Sequence, residues 1–143
     1  MKVLVFVKAT PNSEQGLFPP DADKMFAEMG KFNEQLVKAG TMQDADGLKP
    51  SSAGKRIKFT DGGTPSVIDG PFAETKELVA GYWIWNVKSK QEAIDWVRRC
   101  PNPHDGDSEI EIRQIFEEAD FADVSTPELQ AAEARLREQL SKK

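Results

Sequence analysis

The residues best equipped for chemistry fall in two short stretches. The first is Asp69-Gly70-Pro71-Phe72-Ala73-Glu74-Thr75-Lys76-Glu77. Asp69 can accept hydrogen bonds from the backbone amides that follow it, Gly70 permits an unusual φ, Pro71 fixes φ near the helical value, and Phe72 offers an anchor in the core. These properties build a turn that enters a short helix, with no ligand required. The same stretch also concentrates carboxylates at Asp69, Glu74 and Glu77. Glu74 and Glu77 share a face in a helix, where paired acids can move a proton or select a cationic ligand. On that reading Asp69, Gly70, Pro71, Phe72, Glu74, Lys76, Glu77 and Tyr82 line a ligand pocket between the sheet and its loops.

The second stretch surrounds His104, the single histidine. Its neighbour Asp105 can orient an imidazole acting as general base, so Asp69, His104 and Asp105 are the candidates for catalysis. A lone histidine beside acidic residues in a loop is nevertheless expected at the surface. Asp105, Asp107 and Glu109 alternate like oxygen ligands but lack the glycine and the distant glutamate of a calcium loop, so no metal site is expected. The chain shows no glycine-rich phosphate loop, no serine nucleophile elbow and no zinc spacing, and no cofactor is expected. Cys100 lies on the apolar face of a helix and reads as core.

The elements that must position these residues follow from periodicity. Val3 to Val7 are all apolar, as in a central strand buried on both faces, and residues 2–8 are expected to form it. Residues 11–20 read as irregular loop. Asp21 or Asp23 can then cap a helix whose Ala22, Met25, Met29, Phe32 and Leu36 form one apolar stripe ended by Gly40. Residues 41–48 form a weak strand. Arg56 to Thr60 and Ser66 to Ile68, around Asp61-Gly62-Gly63, form a hairpin. Residues 82–87 are the most aromatic strand. Ser89 with Glu92 matches a capping box for a helix bearing Ala93, Trp96 and Val97, and Glu109 to Arg113 alternate as a strand. Thr126-Pro127-Glu128 starts a last helix with a narrow Leu129, Ala132, Leu136, Leu140 stripe, expected to pack on its own domain or across a dimer.

This order is the split βαβ pattern of a ferredoxin-like α+β fold, βαββαβ with an antiparallel sheet, both helices on one face and an extra C-terminal helix. The other sheet face is left open. Because the strands at 3–7 and 82–87 are apolar on both alternating sets, a second copy packing sheet to sheet is the expected cover, giving a homodimer.

Composition sets the outer bounds. The chain has 143 residues, 38% of them hydrophobic and 30% charged, enough for one domain with one core. A formal net charge of −5 argues against a nucleic-acid partner, whose phosphates demand cations. The single cysteine fits a reducing compartment, and no apolar run is long enough for a membrane span or a signal segment, so a cytoplasmic protein without a membrane partner is expected.

The string DGPFAETKE at 69–77 resembles the signature of the YCII-related family, in its DGPF-domain subgroup. Gly40 after the first helix, Gly47-Leu48 with Pro50, Gly81-Tyr82 and Glu109-Ile110-Glu111-Ile112-Arg113 agree with it. The resemblance spans residues 1–117, with 118–143 as a helical extension like that of some relatives. It implies a ferredoxin-like dimeric α/β barrel. It also implies an enzymatic role through a His and Asp pair and a fold similarity to muconolactone isomerase. The first helix here, however, carries Met25, Met29 and Phe32 and no histidine, so that pair does not transfer. DGPF-type domains joined to sigma-70-type transcription factors imply a regulatory role instead. The expected function is therefore a dimeric small-molecule-binding or regulatory module acting with a sigma-70-type factor. The alternatives are an isomerase-like or lyase-like enzyme using carboxylate or histidine acid-base chemistry, and a non-catalytic dimeric scaffold.

Overall fold

A computed structural model describes residues 1–142. Four strands form one antiparallel sheet in the order β2-β5-β1-β6, where β1 is Lys2–Lys8, β2 Met42–Gly47, β5 Val79–Asn86 and β6 Ile110–Gln114. The two long crossovers carry α2 (Ala22–Lys38) and α3 (Lys90–Arg99). This is the ferredoxin-like arrangement expected from the sequence. One additional turn of helix, α1 (Pro11–Glu14), interrupts the stretch read as irregular loop. Its signal is local: Thr10 and Ser13 form a reciprocal cap, and Pro11 fits the first helical position.

Strand alternation decides what is buried. On β1, Val3 and Val5 face the helices, and on β5 Trp83 and Trp85 do the same; all four are buried. They meet Phe32 and Leu36 from α2, Ala93 and Trp96 from α3, and Val87 beyond β5. Phe32 is the keystone of the helix side. Its ring lies edge-on to Trp83, Trp85 and Trp96 at centroid distances of 6.1, 6.4 and 6.1 Å, and each such pair contributes roughly 0.5–1.5 kcal/mol beyond its buried area. The Trp85 indole N–H has no hydrogen-bond partner in this core.

The caps follow the sequence in part. Ser89 Oγ accepts from Glu92 N, as expected, but the Glu92 carboxylate reaches back to Lys88 N rather than to the Ser89 amide. Asp21 occupies the cap position of α2 without a side-chain cap bond, and Asp23 Oδ1 accepts instead from the adjacent Lys24 amide.

Two elements stand outside the core. The hairpin β3 (Lys55–Lys58) and β4 (Ser66–Asp69) is a separate two-stranded sheet inserted between β2 and β5, exposed along both strands. The last helix, α4 (Pro127–Ser141), starts as expected with Thr126 Oγ1 accepting from Leu129 N. It does not pack its leucine stripe on its own domain: Leu129, Leu136 and Leu140 are 58%, 56% and 67% exposed. A single narrow stripe offers too little apolar area for that contact. No helix among the described residues is long and apolar enough to cross a membrane.

Candidate functional site

A hollow beside the core lies between α2 and one end of the sheet. It has two lobes, an inner one of about 390 Å³ and an outer one of about 470 Å³. They share Met25 and Phe26 of α2, Gly47 of β2, Ala80 of β5, and Pro103 and His104 of the loop after α3. Val7, Met29, Ala45 and Trp83 extend the inner lobe, and Leu17, Phe18, Leu48 and Lys49 the outer one. Phe18 and Phe26, with ring centroids 5.9 Å apart, stand edge to face at the mouth while 74% and 62% exposed. A cluster of exposed aromatic and aliphatic side chains around a concavity is the usual composition of a ligand site. The apolar stripe of α2 is therefore divided: Phe32 and Leu36 complete the core, Ala22 and Met25 border the hollow, and Met29 stands between, packed on the core and lining the inner lobe.

His104 is brought into this hollow from an unexpected direction. The loop carrying it is braced by Asn102, whose Nδ2 donates to Gly106 O and whose Oδ1 accepts from His104 N and Ser108 Oγ. The ring then lies with Nε2 2.9 Å from Lys8 O at the end of β1. A carbonyl only accepts, so Nε2 is the donor in this contact, and whenever the ring is neutral Nδ1 is its acceptor. The surface position expected for His104 is thus corrected only in part: the loop is largely exposed, but the ring is half-buried against the end of β1. The cause is a contact between residues 96 positions apart, which no local pattern encodes. The expected orienter is corrected too: the Lys8 carbonyl holds the ring, while Asp105 is exposed at the outer lobe.

The Asp69-Gly70-Pro71-Phe72 turn lies elsewhere. Its backbone is pinned to the one-turn helix at Ser51–Ala53: Gly70 N donates to Gly54 O at 3.0 Å and Phe72 N to Ser51 Oγ at 3.0 Å. Ser51 in turn donates through both N and Oγ to the Glu14 carboxylate. A Cβ at Gly70 would stand 1.7 Å from Ser51 O, so the close approach of two backbones admits only glycine. Phe72 does not enter the core as expected. It is half-buried under the Arg56 guanidinium, 3.9 Å above its ring. Asp69 is paired with Lys55 across the hairpin, exposed and away from the hollow.

The expected set of lining residues is accordingly dispersed. Asp69, Gly70, Pro71, Phe72, Glu74 and Glu77 border neither lobe. Lys76 lines a different cleft with Lys8, Thr75 and Asp107. Tyr82 borders the inner lobe, but alternation with Trp83 sends its side chain to the opposite sheet face, where its hydroxyl is 3.5 Å from Asp44 Oδ2. There the Asp44 carboxylate first, then burial and Asp46, hold the phenol above its ordinary pKa. Among the described residues no group of three His, Cys, Asp or Glu side chains is placed to hold a metal ion.

Fold and site together define a ferredoxin-like α+β domain with an apolar cavity between its long helix and the sheet. The chain belongs to the YCII-related family: the model of the YCII-related domain matches residues 1–119. An uncharacterized protein of Rhizobium meliloti (strain 1021) is 29% identical over 93 residues, covering 65% of this chain and 74% of that protein. Among solved structures, 5-chloro-2-hydroxyhydroquinone dehydrochlorinase from Burkholderia phenoliruptrix, in complex with 2,5-dihydroxybenzoquinone, is similar with a TM-score of 0.44 and 16% identity, over 83% of this chain and 98% of that one.

Proposed function

We propose that this protein is a small-molecule-binding member of the YCII-related family, of the DGPF type by its Asp69 to Phe72 string, and that its ligand occupies the two-lobed cavity. The observation that carries this reading is the convergence of Met25, Phe26 and His104 on a hollow whose mouth exposes Phe18 and Phe26. Apolar walls supply affinity and a few fixed polar atoms supply orientation. Of the four methionines, Met25 and Met29 border the cavity, Met29 also packing against the core, whereas Met1 and Met42 pack on the core without bordering the cavity. Methyl NMR of protein labelled at methionine therefore reads occupancy directly. In a screen of small organic compounds, ligands are expected to move the Met25 and Met29 signals and spare those of Met1 and Met42. A broad screen that moves neither would sink the reading.

The assembly proposed with it is a homodimer through the open sheet face, the dimeric α/β barrel. Leu4, Phe6, Tyr82 and Ile84 alternate onto that face as half-buried residues in a single chain, a row of apolar groups that a second sheet would cover. The regulatory half of the reading, action beside a sigma-70-type factor, is supported by the family resemblance alone and is checked by co-purification with such a factor.

A second reading is favoured by the free Nδ1 of His104. A neutral imidazole held by a carbonyl on one nitrogen presents the other as general base, as an isomerase-like or lyase-like reaction needs. His104→Ala would then abolish turnover of any compound found to bind, while binding itself persists.

A further inference from the structure

The cavity borders a place where two side chains are missing from the sheet. Along the helix-facing row of β5, Trp85 and Trp83 fill the space under α2, and the next residue in that row is Gly81. On β2 the corresponding row runs from Ala45 to Gly47, and Gly47 is the cross-strand partner of Gly81. The two glycines play different parts. A Cβ at Gly81 would meet Asp46 O at 3.1 Å, so its lack permits close strand approach, whereas a Cβ at Gly47 meets nothing within 4 Å. Gly47 borders both lobes, so the room left by its missing side chain is part of the cavity.

We propose that the Gly47/Gly81 pair is a slot for a flat, neutral, largely apolar ring bearing one hydrogen-bond donor, which His104 Nδ1 accepts; this rests on the small-molecule reading and names its ligand class. Flatness follows from the geometry: a bare strip of backbone lies on one side, and Met25, Met29 and Phe26 lie on the other. Thioethers and an aromatic edge favour a ring between them. Neutrality follows from the inner lobe, where the one charged residue, Asp46, pairs across the strands with Tyr82 and alternates onto the opposite face with it. The donor requirement follows from acceptors. Asn33 Oδ1 already accepts from Trp83 Nε1 at 2.9 Å, and His104 Nε2–H is spent on Lys8 O, which leaves the His104 Nδ1 lone pair to be satisfied. A ligand that covers this atom without a donor strands it. Gly47 is then the residue that sets ligand size.

Indole and 1-methylindole, which differ in the ring N–H, are the probes. Titrated against methionine-labelled protein, indole is expected to move the Met25 and Met29 methyl signals and to bind about threefold to tenfold more tightly than 1-methylindole. Gly47→Leu is expected to weaken both at least about tenfold, and Gly47→Ala, the milder filler, by a smaller factor in the same direction. His104→Phe is expected to erase the preference for indole. Equal binding of the two probes to the unaltered protein, or a preference that survives His104→Phe, overturns the donor assignment. Gly47→Leu and Gly47→Ala both binding indole like the parent overturn the slot. If neither probe moves the two methyls at millimolar concentration, the ligand class is overturned, while any other compound that moves them leaves the cavity reading standing.

Discussion

At the scale of single residues, Gly70 and Asp69 show how one turn can mix an indispensable residue with a replaceable one. Gly70→Ala drives a Cβ into the Ser51 carbonyl oxygen, and because backbone rather than a flexible side chain must yield, the expected loss in urea unfolding is at least about 2 kcal/mol. Asp69→Asn removes an exposed pair with Lys55 and is expected to cost less than about 1 kcal/mol. A larger loss for Asp69→Asn than for Gly70→Ala would contradict the latch formed by Glu14, Ser51 and Phe72. Cys100 gives a prediction in pH. Burial pushes its thiol from the ordinary 9.0 up to about 12, and the thiol donates to Pro101 O at 3.2 Å. The folded chain keeps a proton that the unfolded chain sheds, so this contribution is complete below pH 9.0 and is lost as pH rises toward about 12. Iodoacetamide at mildly alkaline pH should accordingly label Cys100 slowly in native protein and rapidly in urea.

At the scale of elements, the two capped helices differ in what they hold. Ser89→Ala removes the cap of α3, which carries Ala93 and Trp96 into the core, and should lower global stability by about 1 kcal/mol. Thr126→Ala removes an equivalent cap from α4, yet α4 has no buried residue. Its expected effect is loss of helical circular dichroism with the main unfolding midpoint unchanged. A shared drop in midpoint would mean that α4 is coupled to the core. These elements were legible in sequence because their signals are local: a cap, a period and a terminating glycine or proline. The hairpin was legible for the same reason. That it stands apart from the main sheet was not, since strand pairing is chosen between distant segments.

At the scale of the whole molecule, the fold presents one closed face and one open face. The helix face is filled by Phe32, three tryptophans and the strand valines, while the other carries Leu4, Phe6, Tyr82 and Ile84 only half covered. Sedimentation of the full chain and of a chain ending at residue 117 should each give twice the mass of its own chain if the sheet face makes the contact. A dimer that becomes monomeric on truncation would place the contact on α4 instead.

Sequence by itself determined the order of the main strands and helices, the ferredoxin-like topology they imply, the apolar strands at 3–7 and 82–87, the helix core positions Phe32, Leu36 and Trp96, and the family through Asp69 to Glu77. All of these rest on periodicity, capping chemistry and the twofold alternation of strands, which are properties of neighbours in the chain. Only the tertiary structure decided where a ligand could sit. It separated the acidic turn from the cavity by tying that turn to Ser51 and Glu14. It brought His104 to the end of β1, and it set Gly47 beside Gly81 under Met25. A cavity is made by side chains that are absent and by segments that meet across the fold, and neither leaves a periodic mark in the sequence.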